Sequence, residues 1–289
     1  MDKLPISDLK YKLIAHKTTL VFVLVIVILV LAGFFAAQKF IFKSQVSQVG
    51  PEVDISFDPE GPYALLFPRR DGNALVLNLK RTASYDGISY ELAYNAEGID
   101  RGVIGAIDTK GKKGEYEQEI LFGTCSKNVC KYDTGVENGT LTLHIVRASS
   151  GGKKKAYRMI TQWHLQKPDV ALGVLTSGDS HFKLKVTGTP EELGRISYCI
   201  INDLTGVPKL PDGKQVFGKV YALNVPLAKD VGGGELSLEL ADNAPEGAKL
   251  TRFDSSRSQW VQYDTKVSGS KLSAKSDGIG IFAVLTPKK

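Results

Sequence analysis

Only three cysteines and four histidines occur in the 289 residues. So few thiols exclude a small scaffold knitted by disulfides, and so few imidazoles leave little from which to build a metal centre. No phosphate-binding glycine loop, nucleophile elbow, paired metal motif or dinucleotide fingerprint is present. No catalytic, cofactor-binding or metal-ligating residue is therefore assigned, no small-molecule substrate is evident, and the chain reads as a non-enzyme. Sustained helical periodicity is missing beyond residue 42. A modest excess of base over acid gives a net charge of +6. It lacks the basic stripe interleaved with aromatics that nucleic acid requires, so nucleic acid is not an expected partner. An anionic envelope or polymer suits that charge better.

One long apolar run is present. Thr18 to Gln38 reads TTLVFVLVIVILVLAGFFAAQ, without a charge, between Lys17 and Lys39. About 21 residues make a helix of roughly 32 Å, the thickness of a bilayer's hydrocarbon core. A cleaved signal peptide fits less well, because its apolar core is shorter and ends in a small-x-small site. Here Phe34 or Phe35 would fall at the −3 position for cleavage after Ala36 or Ala37. A type IV pilin leader is excluded, since no acid follows within the run. Lys3, Lys10, Lys12 and Lys17 precede the span, while only Lys39 and Lys43 follow it closely. That bias places the N-terminus in the cytoplasm. The expected order is a cytoplasmic tail over 1–17, a transmembrane helix over 18–42 and a polar stalk over 43–52, ending in the Gly50-Pro51 break.

Beyond the stalk the pattern has period two. Leu75, Leu77 and Leu79 alternate with polar or smaller neighbours, as do Ile88, Tyr90, Leu92 and Tyr94. So do Leu141, Leu143 and Ile145, and Tyr157, Met159, Thr161, Trp163 and Leu165. These predict half-buried strands. Asp71-Gly72, Asp86-Gly87, Glu137-Asn138-Gly139 and Ser150-Gly151-Gly152 read as turns between them. Lys167-Pro168-Asp169 reads as a boundary, after which a second strand set begins with Phe182, Leu184 and Val186. The expected fold is an all-β ectodomain of two tandem antiparallel β-sandwiches, 53–167 and 168–289, after one N-terminal transmembrane helix.

Arg252-Phe253-Asp254, Trp260-Val261 and Gly280-Ile281-Phe282-Ala283-Val284-Leu285 have the cadence of a strand, a short hairpin and a terminal strand. This segment resembles the ending of ZU5-like or Ig-like β-sandwich modules of prokaryotic surface proteins. The whole chain resembles membrane-anchored envelope proteins. The resemblance to the ZU5-like or Ig-like modules covers about a quarter of the chain and implies a β-sandwich at the C-terminus. Some ZU5-containing proteins cut themselves at a His-Phe-Ser tripeptide. In this chain His181-Phe182 is followed by Lys183 and lies far upstream, so that activity is not carried over. The terminal strand from Ile281 is apolar on both faces, which predicts a central position.

Cys125 and Cys130 are separated by four residues, a natural hairpin loop length. A disulfide between them fits an oxidising compartment outside the membrane. A redox pair has two intervening residues. Zinc needs two further ligands, for which only His144 and His164 are candidates. Cys199, between Tyr198 and Ile200, reads as a buried free thiol. His144 and His164 read as solvent-facing. The acidic turns Asp242 to Gly247 and Asp54 to Gly61 read as Asx turns rather than calcium sites. Asn138-Gly139-Thr140 matches a glycosylation acceptor but reads as a hairpin turn. Two lysine clusters flank glycines: Lys110, Lys112 and Lys113, then Lys153, Lys154 and Lys155. They read as hairpin tips able to contact an anionic glycan or lipid headgroup.

The functional expectation is a single-pass envelope protein, anchored in the lipid bilayer. It displays its β domains outside the cytoplasmic membrane for binding, adhesion or assembly with a surface glycan or envelope protein. The alternative is an accessory subunit of a membrane secretion or envelope-assembly complex. Ala32, Gly33, Ala36 and Ala37 would then let another helix approach closely.

Overall fold

Alternating apolar and polar side chains run through nearly every segment after the stalk, and the backbone follows them into strands. The computed structural model describes residues 51–109, 111, 114–127, 129–148, 154–167, 173–227, 229 and 231–288. In chain order the first ten strands are β1 (Val53–Asp54), β2 (Tyr63–Pro68), β3 (Ala74–Lys80), β4 (Gly87–Ala96), β5 (Ile99–Ile107), β6 (Glu115–Leu121), β7 (Gly123–Ser126), β8 (Val129–Tyr132), β9 (Asn138–Ala148) and β10 (Lys154–Gln166). Then come β11 (Val174–Thr176), β12 (Phe182–Val186), β13 (Tyr198–Asn202), β14 (Lys214–Asn224) and β15 (Gly234–Glu239). The last are β16 (Lys249–Asp254), β17 (Gln259–Gln262), β18 (Lys266–Ser268), β19 (Lys271–Lys275) and β20 (Ile281–Pro287). One helical turn, Pro190–Leu193, starts at Thr189, whose hydroxyl accepts from the Glu192 amide while the Glu192 carboxylate accepts from the Thr189 amide. That reciprocal cap holds so short a turn.

The strands form a three-layer body. A ten-stranded sheet in the order β17-β16-β20-β14-β13-β10-β9-β4-β5, with β1 added parallel to β10, is the middle layer. The sheet β2-β3-β6 covers one face, and the five-stranded sheet β11-β12-β15-β19-β18 covers the other. Apart from the β1–β10 pair, the pairings are antiparallel.

Parity along three strands creates two cores. Cys199 and Ile201 of β13, Ala222 of β14, and Ile281, Ala283 and Leu285 of β20 join the core beneath β2-β3-β6. Their neighbours Tyr198, Ile200, Tyr221, Leu223, Phe282 and Val284 join the core beneath the five-stranded sheet. Strands covered on both faces must be apolar throughout, which is why IFAVL and YCII show no alternation. Aromatics brace each core. Phe122 stacks on Trp163 at 5.8 Å in the first, and Phe182 packs on Tyr221 at 5.4 Å and Phe282 at 5.2 Å in the second.

The all-β expectation holds, but the two halves do not stand as separate sandwiches. β10 lies before the expected boundary at 167/168 and β13 after it. They pair from Gln162↔Asn202 to Gln166↔Tyr198, so one sheet crosses the boundary, and residues from Val49 onward form a single compact unit. A second departure concerns Glu137-Asn138-Gly139, which is no turn. Gly139 lies within β9, opposite Tyr94 and Trp163. A Cβ there would stand 2.2 Å from the Ala93 carbonyl oxygen and 2.3 Å from the Trp163 ring. The glycine is demanded by a close approach, not by turn freedom.

Among the described residues no helix is long and apolar enough to cross a membrane. The tail 1–17, the span 18–42 and most of the stalk lie outside the described residues.

Candidate anion-binding face

Strand alternation that buries Phe182, Leu184 and Val186 must turn Lys183 and Lys185 outward. On β19 the same logic buries Leu272 and exposes Lys271 and Lys275. The ladder sets these in rows across the sheet. Lys185, Glu235 and Lys275 form one row; Lys183, Ser237, Ser273 and Lys266 form the next; Glu239, Lys271 and Ser268 form the third. Strands about 4.8 Å apart and outward residues about 7 Å apart along a strand place five ammonium groups on one surface. Lys183, Lys185, Lys266, Lys271 and Lys275, with Glu235 and Asp264, line a shallow concavity of about 980 Å³.

None of these five lysines makes an ion pair among the described residues. Glu235 sits in register between Lys185 and Lys275, yet neither contact closes. Like charges at such spacing repel one another. An anion laid across the rows relieves that repulsion and releases counterions. No aromatic side chain lines the concavity, so there is no platform for stacking bases. The surface reads charge, not rings.

A second polar cluster joins the sheets. Asp179, at the tip of the β11–β12 hairpin, accepts from Ser177 Oγ at 2.5 Å, Tyr221 OH at 3.1 Å and Lys219 Nζ at 3.2 Å. Lys219 Nζ also lies 3.0 Å from Asp203 Oδ2. A register shift between Phe217 and Tyr221 turns Lys219 toward these acids, with Gly218 at φ +75°. Asp203 and Ser180 hold φ of +61° and +62° beside it. Burial alone would raise the Asp179 carboxyl, but hydrogen bonds from Ser177, Lys219, His181 and Tyr221 outweigh it and hold the group below its ordinary range. Burial and then the Asp179 charge push the Tyr221 hydroxyl far up. Burial would lower Lys219, but its bonds to Asp203 and Asp179 raise it overall. Asp179, Lys219 and Tyr221 are each driven toward their usual charge state. That is the signature of an ionic clamp, since a base or nucleophile needs the opposite shift.

The residues expected from sequence fall elsewhere. Cys125 and Cys130 face each other across the β7–β8 hairpin and are joined, with Sγ–Sγ 2.01 Å. Lys110, Lys112, Lys113 and Lys153 lie outside the described residues. Lys154 and Lys155 open β10 on the middle sheet and are not brought to the lysine face. Cys199 is fully buried, and burial pushes its thiol far up, so it is inert. His144 Nδ1 lies 2.8 Å from Glu52 Oε1, a partner 92 residues away. His164 Nδ1 lies 2.7 Å from Asn138 Oδ1, and burial lowers its imidazole. Asp58 accepts from the Glu60 amide in an Asx turn, and Asp54 pairs with Arg158 at 2.7 Å. Among the described residues no group of three or more His, Cys, Asp or Glu is placed to hold a metal.

The lysine face was legible in the sequence as the polar half of FKLKV and KLSAK. Its lysines are spaced by two and four, whereas the lysine clusters expected as hairpin tips are adjacent or nearly adjacent in sequence. No protein-family profile, curated protein or solved structure matches the chain.

Proposed function

We propose that the chain is a single-pass membrane-anchored envelope protein whose β body binds a polyanionic surface glycan outside the cytoplasmic membrane. The observation that carries the reading is the set of five unpaired lysines on the outer face of the five-stranded sheet. The uncharged run Thr18–Gln38 supplies the anchor, and the lysine bias before it orients the body outward. The disulfide hairpin agrees with an oxidising compartment. The mechanism is display and electrostatic capture rather than catalysis.

The test uses the full chain in a non-ionic detergent with dextran sulfate, neutral dextran and vesicles containing phosphatidylglycerol as probes. Capture by dextran sulfate but not by dextran supports the reading. Preference for the anionic vesicles over dextran sulfate would overturn the glycan in favour of a lipid headgroup.

One observation favours a second reading, an accessory subunit of a membrane complex. Strand β5 ends the middle sheet, with Ile104 79% and Ile99 57% exposed. A long, apolar open edge is a template for a partner strand. Crosslinking in intact cells followed by mass spectrometry separates the two. Stoichiometric membrane proteins held through β5 would support the subunit reading and count against free display.

A further inference from the structure

Among the described residues, every sheet edge but one is blunted. Edge strands β17, β7 and β8 have four residues, β11 and β18 three, and β1 two. Edge strand β2 ends in Pro68, and β6 carries Glu115, Glu117 and Glu119. Brevity, proline and charge are the usual guards against pairing with another chain. Strand β5 has no such guard. It runs nine residues from Ile99 to Ile107, about 30 Å at the rise of an antiparallel strand. It holds neither lysine nor proline, and its register with β4 is unbroken from Ile88↔Ile107 to Ala96↔Ile99. Among the described residues nothing pairs with its other side.

The two charges of β5 are tied back to their own chain. Asp100 accepts from Asn95 Nδ2 at 2.9 Å, and Arg101 lies 3.3 Å from Asp133. Val103 packs against the core, so its neighbours Gly102 and Ile104 face outward, and Ile104 is 79% exposed. A Cβ added at Gly102 would meet only the Leu92 carbonyl oxygen, at 3.6 Å, so the place beside the ladder is open.

The strand is self-complementary when laid antiparallel on itself about a two-fold axis at Val103. Ile104 of each copy then lies opposite Gly102 of the other, Asp100 opposite Ala106, and Arg101 opposite Gly105. No like charges meet, and an exposed apolar side chain fills the gap left by a glycine. Moving the axis to Arg101 sets that residue opposite itself. Moving it to Gly102 sets the two glycines together and Asp100 opposite Ile104.

We propose that two copies of this chain pair through β5, antiparallel and centred on Val103, joining their middle sheets into one. Ladder hydrogen bonds supply the association. The contact is isologous and uses up both open edges, so it closes as a dimer. The lysine face lies on a different sheet, so the dimer stands or falls independently of the polyanion reading.

The test is sedimentation equilibrium of the full chain in a density-matched non-ionic detergent, without added polymer. A dimer that Ile104→Lys weakens at least about tenfold supports the pairing, because a lysine on an edge strand opposes strand addition. The fold should tolerate that change at so exposed a position. A monomer at about 100 μM would overturn the proposal, since pairing weaker than that is worth little. A dimer undiminished in Ile104→Lys would also overturn it, because the contact would then lie elsewhere, as in the anchor. Cysteine trapping reads the register without relying on that variant. Gly102→Cys combined with Ile104→Cys should give a covalent dimer on mild oxidation, since the two positions face each other across the axis. Ile104→Cys alone should be trapped at least about fivefold less, because its two copies stand only diagonally. Equal trapping of the two would overturn the proposed pairing. A different protein cross-linked to β5 in intact cells would overturn it in favour of the accessory subunit.

Discussion

The two outer sheets carry opposite charge and treat it differently. On β6 the outward residues are Glu115, Glu117 and Glu119, and each is engaged, by Lys80, Asn78 and Arg69 respectively. On the five-stranded sheet the outward lysines make no ion pair among the described residues. Both faces arise from the same alternation, and both cover a core of similar character. Paired surface charges contribute little to stability and leave little field beyond the surface. Unpaired like charges cost some stability and project a field able to gather counter-ions. The difference thus separates a face spent on the fold from a face held for a partner.

The comparison breaks most visibly at the lysine face. Replacing Lys183, Lys185, Lys271 and Lys275 by Gln should weaken capture by dextran sulfate by roughly 10²–10³-fold, at about 1 kcal/mol per lysine. Thermal stability should hold or rise slightly, since self-repulsion is relieved. Parallel binding and melting curves check both halves of that statement. Asp179→Asn should cost about 1–3 kcal/mol by leaving buried partners of the clamp poorly met. It should also change the acid limb. The folded Asp179 carboxyl is depressed below 3.8, so its stabilisation is present above that value and fades as pH falls through the folded pKa. Urea unfolding between pH 2 and 7 should show a shallower acid loss in the variant.

Smaller effects lie on the acidic side. The β7–β8 hairpin is tied to it by Arg69, whose guanidinium stands 5.4 Å from the Tyr132 ring centre. Replacing Cys125 and Cys130 by Ser should cost about 2 kcal/mol or less, because the closed loop is short, and should leave polyanion capture unchanged. Arg69→Gln should cost under about 1 kcal/mol, because its partners Asp71 and Glu119 are largely solvated. Loss of polyanion capture in that variant would erase the distinction between the faces.

Much of the fold was legible locally. The inward sets Leu75-Leu77-Leu79, Ile88-Tyr90-Leu92 and Leu141-Leu143-Ile145 are buried as their alternation requires. Asp71-Gly72 is a turn, with Gly72 at φ +74°. The central position of IFAVL followed from its lack of alternation. What escaped was sheet membership. Period two says that a strand has a buried face, but not which sheet supplies the cover, so the break at Lys167-Pro168 read as a domain boundary while β10 and β13 pair across it. Gly139 escaped for a related reason, because the ring that excludes its Cβ comes from Trp163, 24 residues on. The lysine face differs: its residues were in plain view at spacings of two and four, and only the ladder shows that β12, β18 and β19 bring them onto one surface.

The central claim is that this surface holds unpaired positive charge for a polyanion. Its most direct test is the slope of log affinity for dextran sulfate against log salt concentration. Counterion release at four to five lysines predicts a slope of about −3 for the wild-type chain, and about −0.7 when only Lys266 remains. Equal slopes for the two proteins would contradict the account, whatever their absolute affinities.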